Sequence, residues 1–124
     1  MIFKDLKAPY IIAEIGCNHN GNTELGLKMI RAAKDCGADA VKFQYFTKDN
    51  LFTKNYMSDL DKGHVVIENI DKWETKELDL QGVSEQIAEF VNDEDQLVLF
   101  RKYSKEIGIE FGCTPVDEDG VKFL

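Results

Sequence analysis

Four polar residues stand where short apolar segments end: Glu14, Lys42, Gln44 and Thr114. Glu14 is the only charge in Tyr10-Ile11-Ile12-Ala13-Glu14-Ile15, a run apolar enough to read as a parallel strand covered on both faces. Lys42 and Gln44 alternate within Ala40-Val41-Lys42-Phe43-Gln44, so a strand there points both to one side. Thr114 directly follows Ile109-Glu110-Phe111-Gly112-Cys113, a third strand-like segment. In parallel α/β folds the carboxyl ends of strands are where sites are built, because loops and helix amino termini converge there. A carboxylate, an ammonium, an amide and a hydroxyl are thus expected at one mouth. The alternative for Glu14 and Lys42 is an interior ion pair that supports the fold, since a buried charge needs a partner whether or not it does chemistry.

The other chemically suggestive side chains have plainer readings. His19 and Asn18 lie in Gly16-Cys17-Asn18-His19-Asn20-Gly21-Asn22, where fixing the turn is favoured over metal ligation. His64 reads as a solvent-exposed residue of a long connection. Cys17 and Cys113 flank the expected mouth with no His or Lys close in sequence to lower a thiol pKa, so packing is favoured over nucleophilic catalysis. Gly16, Gly21 and Gly37 read as turn residues and not as a phosphate-binding fingerprint.

The elements that must position these residues follow from periodicity and caps. Leu25, Met29, Ala33 and Cys36 mark one face of a helix capped by Asn22 or Thr23 and ended by Gly37. Asn92-Asp93-Glu94-Asp95 opens another helix, which carries Leu97, Phe100, Ser104 and Ile107 and is closed by Gly108. Thr114-Pro115 ends the third strand ahead of a helix start at Val116-Asp117-Glu118-Asp119. The links Gly37-Ala38-Asp39 and Gly108-Ile109 are short, which favours right-handed crossovers and a parallel sheet. Residues 47–91 are too many for a plain connection and are expected to form an insertion or lid after the second strand. Within it, Val83, Ile87, Phe90 and Val91 fit a short amphipathic helix, Asp59–Lys62 and Asp71–Asp79 read as solvated, and Trp73 as an anchor.

Composition narrows the function classes. With 44% apolar residues in 124, the chain can build the core of one ordinary domain. No apolar run approaches the ~18 residues of a membrane span, and Met1–Lys7 lacks the pattern of a secretory signal, so a cytoplasmic protein is expected. Cys17, Cys36 and Cys113 form no close pair, which points to reduced, mostly buried thiols rather than a disulfide framework or zinc site. A net charge of -8 without clustered Lys and Arg argues against a nucleic-acid partner, although a local convergence of cations can still bind an anionic substrate.

Three segments, Ala13-Glu14-Ile15-Gly16-Cys17-Asn18-His19-Asn20-Gly21, Gly37-Ala38-Asp39-Ala40-Val41-Lys42-Phe43-Gln44 and Gly108-Ile109-Glu110-Phe111-Gly112-Cys113-Thr114-Pro115, resemble the first three strand motifs of the N-acetylneuraminate (sialic acid) synthase family. The resemblance covers both ends of the chain and leaves the stretch from about Thr47 to Val91 aside. It implies an incomplete (β/α)8 TIM barrel comprising the first three β/α units. It also implies condensation of phosphoenolpyruvate with an N-acylated amino sugar, in which C3 of phosphoenolpyruvate attacks the open-chain aldehyde, water adds at C2 and phosphate leaves. A divalent metal, usually manganese, would polarise the aldehyde, with histidine ligands outside this chain. On this resemblance Glu14 and Lys42 are the candidate catalytic residues. Lys42 would meet the carboxylate or phosphate of phosphoenolpyruvate, and Glu14 would orient the sugar or shuttle a proton. Gln44 would bind sugar hydroxyls or the acyl amide, and Thr114 a phosphoenolpyruvate oxygen.

A complete barrel takes about 250 residues, so the chain is expected to be a fragment, inactive alone, of a homodimeric protein, with the edges of its first and third strands exposed. Two other readings stay open: another barrel enzyme of aldolase type, and a non-catalytic module whose acidic insertion contacts a protein partner. Neither the sugar nor its phosphorylation state is specified by these motifs.

Overall fold

The computed structural model describes residues 8–47, 65–67, 76–78 and 91–124. In chain order the elements are β1 (Ile12–Gly16), α1 (Thr23–Asp35), β2 (Ala40–Tyr45), β3 (Val65–Ile67), β4 (Lys76–Leu78), α2 (Glu94–Ile107), β5 (Glu110–Pro115) and α3 (Glu118–Phe123). The sheet that matters for function is three-stranded and wholly parallel in the order β1-β2-β5, so β1 and β5 are its edges, as expected. Each strand is a little longer or later than its apolar run suggested. β5 continues through Thr114 and Pro115, because a proline at a strand's last position on an edge forfeits no needed donor.

Local chemistry explains the helix limits. Asn22 caps α1, its side chain accepting from the Leu25 amide at 2.9 Å, and Gly37 follows the C-cap with φ +86°. Within Asn92-Asp93-Glu94-Asp95 it is Asp93 that caps α2, accepting from the Gln96 amide at 2.7 Å, and Gly108 ends the helix in the left-handed conformation. Asp117 caps α3 through the Gly120 amide.

Both long helices lie on one face of the sheet. The core they enclose consists of Ile15, Ile30, Val41, Phe43, Leu97, Phe100 and Ile109, all buried. Leu97, Phe100 and Ser104 face inward as their spacing predicts, and Ile107 packs at the margin. The α1 face differs from the expected one. Its buried residues are Gly26 and Ile30, with Met29 and Ala33 partly buried, while Leu25 is 40% exposed and Cys36 is exposed. Gly26 is where α1 meets Phe100 of α2, and a residue without a side chain adds nothing to an apolar pattern, so the contact line is displaced from the one that hydrophobicity alone marks.

The opposite face of the sheet, which carries the even-numbered residues of β1, β2 and β5, is uncovered among the described residues. Ile12 there is 51% exposed, so β1 is covered on one side and not on both. The connection from β2 to α2 contains a two-stranded antiparallel ribbon, with Val65 opposite Leu78 and Ile67 opposite Lys76. Lys76–Leu78, within the stretch Asp71–Asp79 that reads as solvated, forms its second strand. His64, Trp73, Asp59–Lys62 and the helix expected around Val83, Ile87 and Phe90 lie outside the described residues, and Val91 is not helical.

Candidate active site

The strand register sets the site. Glu14 of β1 stands opposite Lys42 of β2, and Gln44 of β2 opposite Thr114 of β5. Because alternate residues share a face, all four side chains arise on the uncovered side of the sheet near its carboxyl end. The Lys42 ammonium ion-pairs with the Glu14 carboxylate and donates to Thr114 Oγ1 at 3.3 Å. Gln44 joins them across Gly16: a Cβ placed on Gly16 would lie 3.5 Å from Glu14 Oε1 and 3.6 Å from Gln44 Nε2. Gly16 also has φ +56°, a conformation that favours glycine, and so permits the bend after β1. All four sequence-identified residues are therefore brought to one place.

This pair is not sealed in a core. The Lys42 and Glu14 side chains keep 37% and 44% of their exposure. An ammonium has three N–H groups, so one remains for an anionic ligand beyond those directed at Glu14 and Thr114. Gly112 lies opposite Lys42 in the register, and a Cβ there would make an ordinary van der Waals contact with Lys42 Cγ at 3.7 Å. No three His, Cys, Asp or Glu side chains among the described residues come together in a way that could hold a metal ion.

Behind the mouth is a second set of polar contacts that strand patterning does not disclose. His19 is fully buried, its ring set edge-on to Phe100 at 5.4 Å and tilted against Phe43 at 5.9 Å. Its Nε2 lies 2.6 Å from Asn92 Oδ1, and Asn92 Nδ2 donates to the Gln44 carbonyl at 2.8 Å. Gln96 donates to the Gly21 carbonyl at 2.6 Å and to Thr23 Oγ1 at 2.8 Å, tying α2 to the start of α1. Asn92 and Gln96 were missed as site supports: Asn92 reads as part of a helix start, and nothing local reveals a partner 73 residues away. Asn18 does fix the turn, donating from its side chain to the Ile15 carbonyl at 2.9 Å. Burial pushes the Cys113 thiol up to about 11, which suits packing and not nucleophilic attack.

Burial holds His19 below the ordinary histidine value of 6.5, against an opposing contribution from its hydrogen bond to Asn92. As pH falls below that value the unfolded chain takes up a proton that folded His19 resists, so folding stability decreases with acidification. The urea midpoint of the wild type should therefore drop more between about pH 7.5 and 5.5 than that of His19→Gln, which has no titrating ring. Equal drops in the two proteins would refute this.

Parallel β/α units with polar groups at three successive strand ends are the arrangement found at the carboxyl-terminal face of β/α barrels. The NeuB family pattern matches residues 29–124, and the chain belongs to the NeuB family. Among its relatives are the N,N'-diacetyllegionaminic acid synthase of Legionella pneumophila and the N-acetylneuraminate-9-phosphate synthase of Mus musculus. Each is 36% identical over 115 residues, covering 93% of this chain and 29% of the relative. The fold is similar to the solved N-acetylneuraminic acid synthetase of Leptospira borgpetersenii, with a TM-score of 0.67 and 25% identity over 93% of this chain and 32% of that one. The chain thus spans less than a third of the length of these relatives. Among the described residues no helix is long and apolar enough to cross a membrane.

Proposed function

We propose that this chain supplies the first three strand ends of a synthase that joins phosphoenolpyruvate to an N-acylated amino sugar, giving a nine-carbon keto sugar acid and phosphate. The observation that carries the reading is the Lys42 ammonium, held between the Glu14 carboxylate and the Thr114 hydroxyl on the central strand. The relatives' names, synthases of sialic-type sugar acids, support it.

In this reading the remaining Lys42 N–H and the Thr114 hydroxyl receive the carboxylate or phosphate of phosphoenolpyruvate, placing its C3 toward the sugar aldehyde. Glu14 keeps the ammonium oriented, and its Oε1, on the Gly16 side, faces the sugar, where it orients a hydroxyl or moves a proton. Gln44, beside it, offers an N–H donor and a carbonyl acceptor for hydroxyls or the acyl amide. A divalent metal such as manganese belongs to the same proposal and would polarise the aldehyde, its ligands coming from outside the described residues. Cytoplasmic location and a homodimeric full-length protein complete it.

The test is turnover by a full-length protein carrying residues 1–124. Phosphoenolpyruvate is supplied with N-acetylmannosamine, its 6-phosphate or a diacetamido hexose, and both phosphate release and keto acid formation are followed. Coupled formation of both products with one of these sugars is expected. Phosphate release without a sugar acid, or condensation only with simple aldehydes, would favour a different barrel enzyme.

A further inference from the structure

We infer that His19 and Asn92 are a positioning pair that holds the Gln44 end of β2 for the amino sugar; this rests on the synthase reading above. The Asn92 amide is oriented by its partners. Its Nδ2 must donate to the Gln44 carbonyl, so Oδ1 is the atom that meets His19 Nε2. His19 consequently carries its proton on Nε2, and a neutral imidazole then has a bare acceptor at Nδ1. That atom is buried and, among the described residues, has no hydrogen-bond partner. An unpaired buried acceptor is unfavourable, and a phenylalanine packed in the same place against Phe43 and Phe100 would avoid it. What the imidazole adds is the Nε2 donor, and that donor serves only Asn92.

The place where this acts is specific. Pairing of β2 with β1 stops at Gly16 opposite Phe43, and Asn92 supplies a donor to β2 one residue farther on, at Gln44. Gln44 and Asn92 also flank the long connection between β2 and α2, so their bond joins its two stems. Lys42 lies deeper in the strand, paired to Glu14 on one side and Gly112 on the other. Loosening the clamp therefore displaces the Gln44 side chain from its station over Gly16 while leaving Lys42 and Thr114 in place. The sugar, not phosphoenolpyruvate, should register the change.

The experiment uses the full-length protein with phosphoenolpyruvate and N-acetylmannosamine, comparing His19→Phe, Asn92→Leu and His19→Gln, whose amide nitrogen can stand where Nε2 stood. In His19→Phe and Asn92→Leu the KM for the sugar should rise about tenfold, the loss of one hydrogen bond, with the KM for phosphoenolpyruvate within about twofold of wild type. His19→Gln should restore the sugar KM. Equal rises for both substrates, or no recovery in His19→Gln, would overturn the inference. Imidazole nitrogen NMR of the wild type covers variants that do not fold: the neutral Nε2–H tautomer is expected near about pH 7, and Nδ1–H or imidazolium there overturns the inference. If the wild type condenses no amino sugar, the synthase reading falls. The clamp is then decided by the Gln44 side-chain amide resonance, which should move in His19→Phe and not in His19→Gln; no movement in His19→Phe overturns it.

Discussion

Lys42→Ala should lower kcat/KM for phosphoenolpyruvate by a factor of about a hundred to a thousand while leaving the protein folded. On the synthase proposal the size follows from removing the cation that would balance the charge of the phosphoenolpyruvate carboxylate or of the departing phosphate. The preserved fold follows from exposure: an ion pair whose partners retain 37% and 44% of their side-chain exposure is screened by solvent and contributes about 1 kcal/mol or less to stability. Lys42→Arg should not restore activity, because a planar guanidinium cannot direct separate N–H groups at Glu14, Thr114 and a ligand as a tetrahedral ammonium can. A pair that merely supports the fold predicts the opposite pattern. In that case Lys42→Met would destabilise the protein through the charge left on Glu14, and Glu14→Gln/Lys42→Met would recover both stability and turnover. Steady-state kinetics and urea unfolding of Lys42→Met, Glu14→Gln and the double variant separate the cases. Recovery of turnover in the double variant would remove Lys42 from the chemistry.

The features readable in the sequence were those with a local signature. Glu14 stood out as one charge in an apolar run, Lys42 and Gln44 as alternate residues of a short strand, and Asn22, Asp93 and Gly108 as helix punctuation; the register then joined them as parallel pairing requires. What escaped was everything that depends on contact between elements distant in the chain. His19 reads as a side chain that fixes its own turn, but it is instead bonded to Asn92 and packed against Phe43 and Phe100, partners more than 70 residues later or on another strand. The same holds for α1, where the closest approach is made at Gly26, a residue that hydrophobic periodicity counts as blank. Strand alternation reports which way a side chain points, and only packing reports what it meets.

That packing predicts the largest stability effect. Phe100 is fully buried, stacked on Phe43 with ring centroids 4.8 Å apart and set against the His19 ring, so Phe100→Ala empties the junction of α1, α2 and the central strand. Urea unfolding should show a loss of about 3–5 kcal/mol, a large share of the stability of a small domain. Gly26 adds a sharper check. On an exposed helix Gly→Ala gains about 1 kcal/mol in helix propensity. Here the new Cβ would come within 2.4 Å of Phe100 Cζ, and the ring cannot withdraw because Phe43 and His19 hold it. Gly26→Ala should therefore destabilise by about 1–3 kcal/mol despite its better propensity. Phe100→Leu removes the ring's far end, so the double variant Gly26→Ala/Phe100→Leu should be more stable than the sum of the single effects allows, by at least about 0.5 kcal/mol. Additive losses would mean that the two helices part to admit the methyl group, and that Phe100 does not set the distance between them.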